Sequence, residues 1–194
     1  MPTPPAHPPV PRTVPVPGGL LAAKALVYDP CGFTVSPPVP EPESAEYAAH
    51  AFTLDGLRVR FRAARTTPTK AGQFVTLWQR SAPGGPIRPF DTADPVDLFV
   101  VATDDGDRSG QFVFSPEALR RHGVVSARGS GGKRAFRVYP PWVTTTNRQA
   151  AAAQTWQLAH FLHLPAPAPA PTDADTDAPV DLTRARELYL SPAG

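Results

Sequence analysis

Cysteine is nearly absent from this chain. Cys31 stands alone among 194 residues, so no internal disulfide can form and no cysteine cluster is available for zinc or an iron–sulfur centre. Cys31 itself reads as a small buried residue near a turn. Long apolar runs are missing as well: no stretch approaches the roughly 20 apolar residues of a membrane span. The opening Met1-Pro-Thr-Pro-Pro also lacks the basic segment and apolar run of a secretion signal, and a soluble, cytoplasmic protein without a membrane partner is expected. Carboxylates are sparse where chemistry would need them. A metal-dependent nuclease converges two or three acids on magnesium, usually with a lysine nearby. Here Glu43 and Glu46 precede the first expected strand, Asp97 opens a later one, and Arg60, Phe61 and Arg62 fill the intervening strand. Asp104-Asp105-Gly106-Asp107 has the context of a hairpin turn, and His160 and His163 share a helical spacing without a third ligand. No P-loop, dinucleotide fingerprint or Gly-x-Ser-x-Gly elbow occurs. Neither a cofactor nor a metal is expected.

Proline, by contrast, is abundant and unevenly placed. Of 27 prolines, 13 fall before residue 43, six after residue 164 and eight between. The expected organisation is a disordered proline-rich arm over 1–18, one folded domain over 19–164, and a Pro/Ala-rich, acidic tail over 165–194. Charge follows the same division. Residues 51–150 hold 15 Lys and Arg against 8 Asp and Glu, while the flanks hold 4 against 9. A basic domain favours nucleic acid, acidic lipid or phosphorylated ligands, and an acidic tail would compete for the same surface.

Two basic blocks stand out within the domain. In Leu57-Arg58-Val59-Arg60-Phe61-Arg62, alternation sends Leu57, Val59 and Phe61 toward a core and sets three arginines in a row on the other face. Such a row needs anions across from it, from a partner or from within; salt bridges to Asp94, Asp97 or Glu46 are the internal reading. Arg65 and Lys70 follow. The second block, Gly131-Gly132-Lys133-Arg134-Ala135-Phe136-Arg137-Val138-Tyr139-Pro140-Pro141-Trp142, turns Lys133, Arg137 and Tyr139 away from Phe136 and Val138. Its glycines would let backbone approach a ligand. Tyr139 and Trp142 offer stacking surfaces beside cations, as single-stranded nucleic acid would use. Trp78 and Trp156 read as core residues of amphipathic helices.

The element order read from periodicity is a helix over 19–28, a strand over 44–54 turned by Asp55-Gly56 into the arginine strand, and a short helix over 68–80. Strands follow over 96–103 and 111–114, then a helix from Ser115 to Gly123, a strand over 133–139 and a long helix over 147–164. This describes an α/β fold with a mixed central sheet flanked by helices on both sides. No internal repeat is evident.

Several motifs together resemble the MepB-like family: Glu43-Ser44-x-x-Tyr47, the run from Phe61 through Lys70 and Gly72 to Trp78, Gly110-Gln111-Phe112-Val113-Phe114, Gly132 to Trp142, and Gln154-Thr155-Trp156-Gln157-Leu158. The resemblance spans about residues 20–164, with Arg65 where that family usually has Lys. It implies a restriction-endonuclease-like or tRNA-endonuclease-like fold with a degenerate acidic centre, a bacterial protein sometimes encoded beside an efflux pump, and nucleic-acid binding. The expected contact residues are Arg58, Arg60, Arg62, Arg65, Lys70, Lys133, Arg134, Arg137, Tyr139 and Trp142. The alternatives are a nuclease drawing on Glu43, Glu46 and Asp97 with Lys70 or Lys133, and a protein-interaction module that binds a partner through its proline-rich arm.

Overall fold

The computed structural model describes residues 15–165 and 179–190. Most of the expected arm and part of the expected tail lie outside the described residues. In chain order the elements are α1 (Gly18–Ala23), which passes through a π turn (Lys24–Tyr28) into α2 (Asp29–Cys31), then β1 (Val39–Pro40), β2 (His50–Leu54), β3 (Leu57–Ala63), β4 (Arg65–Thr67), β5 (Lys70–Thr76), β6 (Trp78–Arg80) and β7 (Ile87–Pro89). They continue with β8 (Leu98–Asp104), β9 (Ser109–Phe114), α3 (Pro116–Arg121), β10 (Ala135–Val138), α4 (Arg148–Leu158), β11 (Phe161–Leu164) and α5 (Leu182–Leu190).

A six-stranded sheet, ordered β1-β2-β3-β8-β9-β11, forms the centre. All its pairings are antiparallel except β3 with β8. Asp55 and Gly56 both take positive φ, 48° and 83°, which gives the two-residue turn whose twist matches a β2–β3 hairpin. Strand β8 is apolar on both faces because it is covered on both. Leu98 and Val100 join Val59, Phe61, Leu20, Val27 and Tyr28 in one core, while Phe99 and Val101 join Phe112, Phe114, Val75 and Val138 in another. Each such fully buried side chain contributes about 1.5–3 kcal/mol. The first face is covered by α1, α2 and α5. On the second lie α3, α4 and a three-stranded sheet ordered β10-β5-β4. The mixed α/β class holds, but a second sheet covers much of the face expected to carry helices.

Three expected helical stretches differ. The first continues through Asp29-Pro30 and stops at Gly32, whose left-handed φ of 77° lets the Phe33 amide donate to the Tyr28 carbonyl. Residues 68–80 are extended instead, forming the β4–β5 turn, β5, and β6, which pairs with β7. Pro68 and Thr69 form that turn, and Gln73, Val75 and Leu77 are buried at a spacing of two, so the β-branched residues prevail over the helical spacing of Phe74, Leu77 and Trp78. The last helix ends at Leu158. Phe161–Leu164 then pairs with β9, with Leu162 and Leu164 facing one core and Phe161 the other. At the other end of the chain, β2 starts only at His50, because Ser44 and Ala48 take left-handed φ on either side of a 3₁₀ turn.

Within the expected tail, α5 packs onto the domain. The Asp181 carboxylate accepts from the Arg184 amide at its start, and Ala185, Leu188 and Tyr189 are buried. The Tyr189 and Tyr28 hydroxyls lie 3.1 Å apart within the core. No described helix is long and apolar enough to cross a membrane.

Candidate functional site

The arginine row of β3 is satisfied from within. Glu41, just after β1, bridges two of its members, accepting from Arg60 at 3.0 Å and from Arg62 at 2.6 Å. Arg62 is 1% exposed, so it cannot reach a ligand. Burial pushes its guanidinium pKa down and Glu41 opposes that. Arg58 forms a bidentate pair with Asp97, Nε to Oδ2 at 2.8 Å and Nη2 to Oδ1 at 2.9 Å, and this hydrogen-bonded partner draws the Asp97 carboxyl below its ordinary range. Arg62 is therefore removed from the expected contact residues, and Arg58 and Arg60 are held by carboxylates of the chain itself. Arg65 lies exposed on β4, its guanidinium 5.8 Å from the Tyr47 ring centre.

The second block behaves differently. A groove of about 920 Å³ runs between the small sheet and α4, and Lys70, Lys133, Arg137 and Tyr139 all line it. No Asp or Glu is among its lining residues. Alternation along β10 buries Val138 and leaves Arg137 and Tyr139 on the groove side. Arg137 Nη1 donates to the Gly72 carbonyl at 3.1 Å and Nη2 to Thr67 Oγ1 at 2.7 Å. Its guanidinium also sits 5.7 Å from the Phe74 ring centre. These acceptors are neutral, so the positive charge persists while the side chain ties the β4–β5 hairpin to β10. Lys70, at the start of β5, and Lys133, before β10, are exposed, and neither is paired with a carboxylate among the described residues. Arg134 is exposed beside Lys133 but outside the groove lining.

The aromatic residues divide as well. The Tyr139 ring rests on Gly72: a Cβ there would stand 2.6 Å from its Cδ1, and Gly72 takes a φ of 76°. Trp142 lies apart, in a hollow of about 210 Å³ with Arg108 and His163, and the Arg108 guanidinium is 5.7 Å from its ring centre. Gly132, expected to admit a ligand, is packed instead against Pro89 and Ser126.

The opposite wall is α4. Asn147 caps its start, Oδ1 accepting from the Ala150 amide at 2.9 Å, and Ala150, Ala152 and Ala153 leave the wall thin. Gln157 acts like a neighbouring strand: its Oε1 accepts from the Tyr139 amide at 2.8 Å and its Nε2 donates to the Arg137 carbonyl at 2.9 Å. Trp156, read from sequence as core, both packs against the second core and lines the groove. His122 lies flat on it, ring centres 3.8 Å apart at 4°. Burial, then the nearby Arg121, lowers the His122 pKa below its ordinary value. Nothing in the sequence pairs His122 with Trp156; only the packing of α3 beside α4 does so.

Two of the three acids named for nuclease chemistry are engaged elsewhere. Glu43 pairs with Arg80 at 3.0 Å and Asp97 with Arg58. Among the described residues, no group of three His, Cys, Asp or Glu is placed to hold a metal ion. Asp91 serves structure: amides of Ala93 and Gly129 and the Ser126 hydroxyl donate to it, which pulls its pKa down to about 2 and fixes the loop that precedes Lys133.

The family model described as MepB-like matches residues 41–163 of the chain. A crystal structure of MepB is similar at 33% identity with a TM-score of 0.63, covering 66% of this chain and 86% of that one. Among curated proteins, none matches the chain.

Proposed function

The chain belongs to the MepB-like family, and on that premise we propose that it binds nucleic acid without cleaving it, holding the phosphate backbone in the groove between β10 and α4. One observation carries this reading: Lys70, Lys133 and Arg137 converge on a groove whose lining contains no carboxylate. Uncompensated cations around a concave surface focus a positive field on it and attract a polyanion. Contacts of this kind release counterions, so affinity falls steeply with salt and depends little on sequence. Arg134 and Arg65 extend the basic surface beyond the groove. The restriction-endonuclease-like ancestry implied by the family resemblance would supply the scaffold, with its acids turned to ion pairs such as Glu43–Arg80.

The test is fluorescence anisotropy of labelled DNA and RNA oligonucleotides at two salt concentrations, with and without magnesium, followed by a denaturing gel of the same samples. Salt-sensitive binding with intact nucleic acid is the expected result. Absence of binding at low salt would overturn the reading, and magnesium-dependent fragments would replace it with a nuclease.

A further inference from the structure

The groove holds more than charge. Tyr139 stands at its floor beside Arg137, and the ring is backed on one side by the bare Cα of Gly72. Its mount is rigid at the backbone, because the Tyr139 amide donates to the buried Gln157 side chain. Alanines of α4 line the same groove, and their small side chains leave room for a flat group. An aromatic ring of this kind contributes nothing to a bare chain of phosphates. In a duplex the bases already stack on one another and are closed off by pairing. An unpaired base, in contrast, stacks on such a ring whatever its identity, while cations track the adjoining phosphates.

We infer that the groove selects single-stranded nucleic acid, one unpaired base lying on Tyr139 while the flanking phosphates meet Lys70, Lys133 and Arg137. This rests on the backbone-binding reading above and adds to it the strand state and the ring that reads it. The base is chosen by its flatness and not by its hydrogen-bonding edge, so pyrimidine and purine strands are both accepted. Trp142 takes no part, since it lies in a separate hollow.

The experiment uses the full chain and three probes matched in phosphate number: a fluorescein-labelled single-stranded oligothymidylate, a thymidylate–adenylate duplex of half its length, and inorganic polyphosphate as competitor. The single strand is expected to bind about tenfold more tightly than polyphosphate, within the range for one stacked base. Tyr139→Leu should remove that advantage while leaving polyphosphate affinity and the urea unfolding midpoint unchanged, and Tyr139→Phe should keep it. Equal affinity for all three probes, preference for the duplex, or loss of polyphosphate binding along with the single strand in Tyr139→Leu would overturn the inference and leave backbone binding standing. If none of the three binds at low salt, the backbone-binding reading falls and takes this one with it.

Discussion

The two basic blocks of this chain read alike as sequence and differ as structure. On β3 the arginines bring their own counter-ions: Glu41 lies between Arg60 and Arg62, and Asp97 grips Arg58. Around β10 and β5, Arg137 meets carbonyls, a hydroxyl and an aromatic face, and no carboxylate among the described residues pairs with it. The row of like charge that seemed to call for a partner is thus a piece of the fold, whereas the more scattered set, drawn from residues 70, 133 and 137, forms the open positive surface. A run of cations marks a binding site only where the fold leaves acids out of reach.

That contrast is sharpest in stability. Replacing Glu41 with Gln strands the buried Arg62 charge, and breaking a buried pair from one side costs about 3–5 kcal/mol; urea denaturation should show a loss of this size, while oligonucleotide affinity of the folded protein stays unchanged. Gln157→Leu removes both of its side-chain bonds to the edge of β10, leaving a partly buried amide and carbonyl unpaired at about 1–3 kcal/mol at most. Because the same residues frame the groove, this variant should also bind oligonucleotide more weakly, unlike Glu41→Gln. A smaller effect comes from pH. His122 and His160 both have pKa values lowered chiefly by burial, so below the ordinary histidine value of about 6.5 the unfolded chain takes up protons that the folded chain refuses. Stability should therefore fall as pH drops from about 6.5, and His160→Gln should flatten the profile between pH 7 and 5.5; an unaltered slope would contradict the assignment. Smallest of all is Arg58→Ala. Its pair with Asp97 is half exposed, and oligonucleotide affinity should not change by anisotropy.

Much of the fold was legible where one physical signal acted alone. The Asp55-Gly56 turn, the twofold-buried β8 and the Ser115-capped α3 follow from turn chemistry, an apolar run and a capping pattern. Sequence reading failed where two periods competed. Phe74, Leu77 and Trp78 fit a helix, but the buried set Gln73, Val75 and Leu77 fits the strand that the second sheet demands. It failed again at α5, where proline and aspartate on the approach concealed Ala185, Leu188 and Tyr189 at helical spacing. In the candidate site, alternation around Arg137 and Tyr139 was readable. The pairing of Glu41 with residues on β3 was not, since it depends on β1 joining the sheet edge through residues whose prolines suggested a linker. The stack of His122 on Trp156 and the strand-like bonds of Gln157 arise only from tertiary packing.

The most direct measurement is the salt dependence of oligonucleotide binding in Lys70→Ala/Lys133→Ala set beside Arg58→Ala. If the groove holds the phosphates, the double variant should lose affinity and its slope of log affinity against log salt should shrink by roughly 1.4, about 0.7 for each phosphate contact on a single strand, while Arg58→Ala matches the unaltered protein. A reduced slope in Arg58→Ala with none in the double variant would place binding on the β3 face and contradict the account.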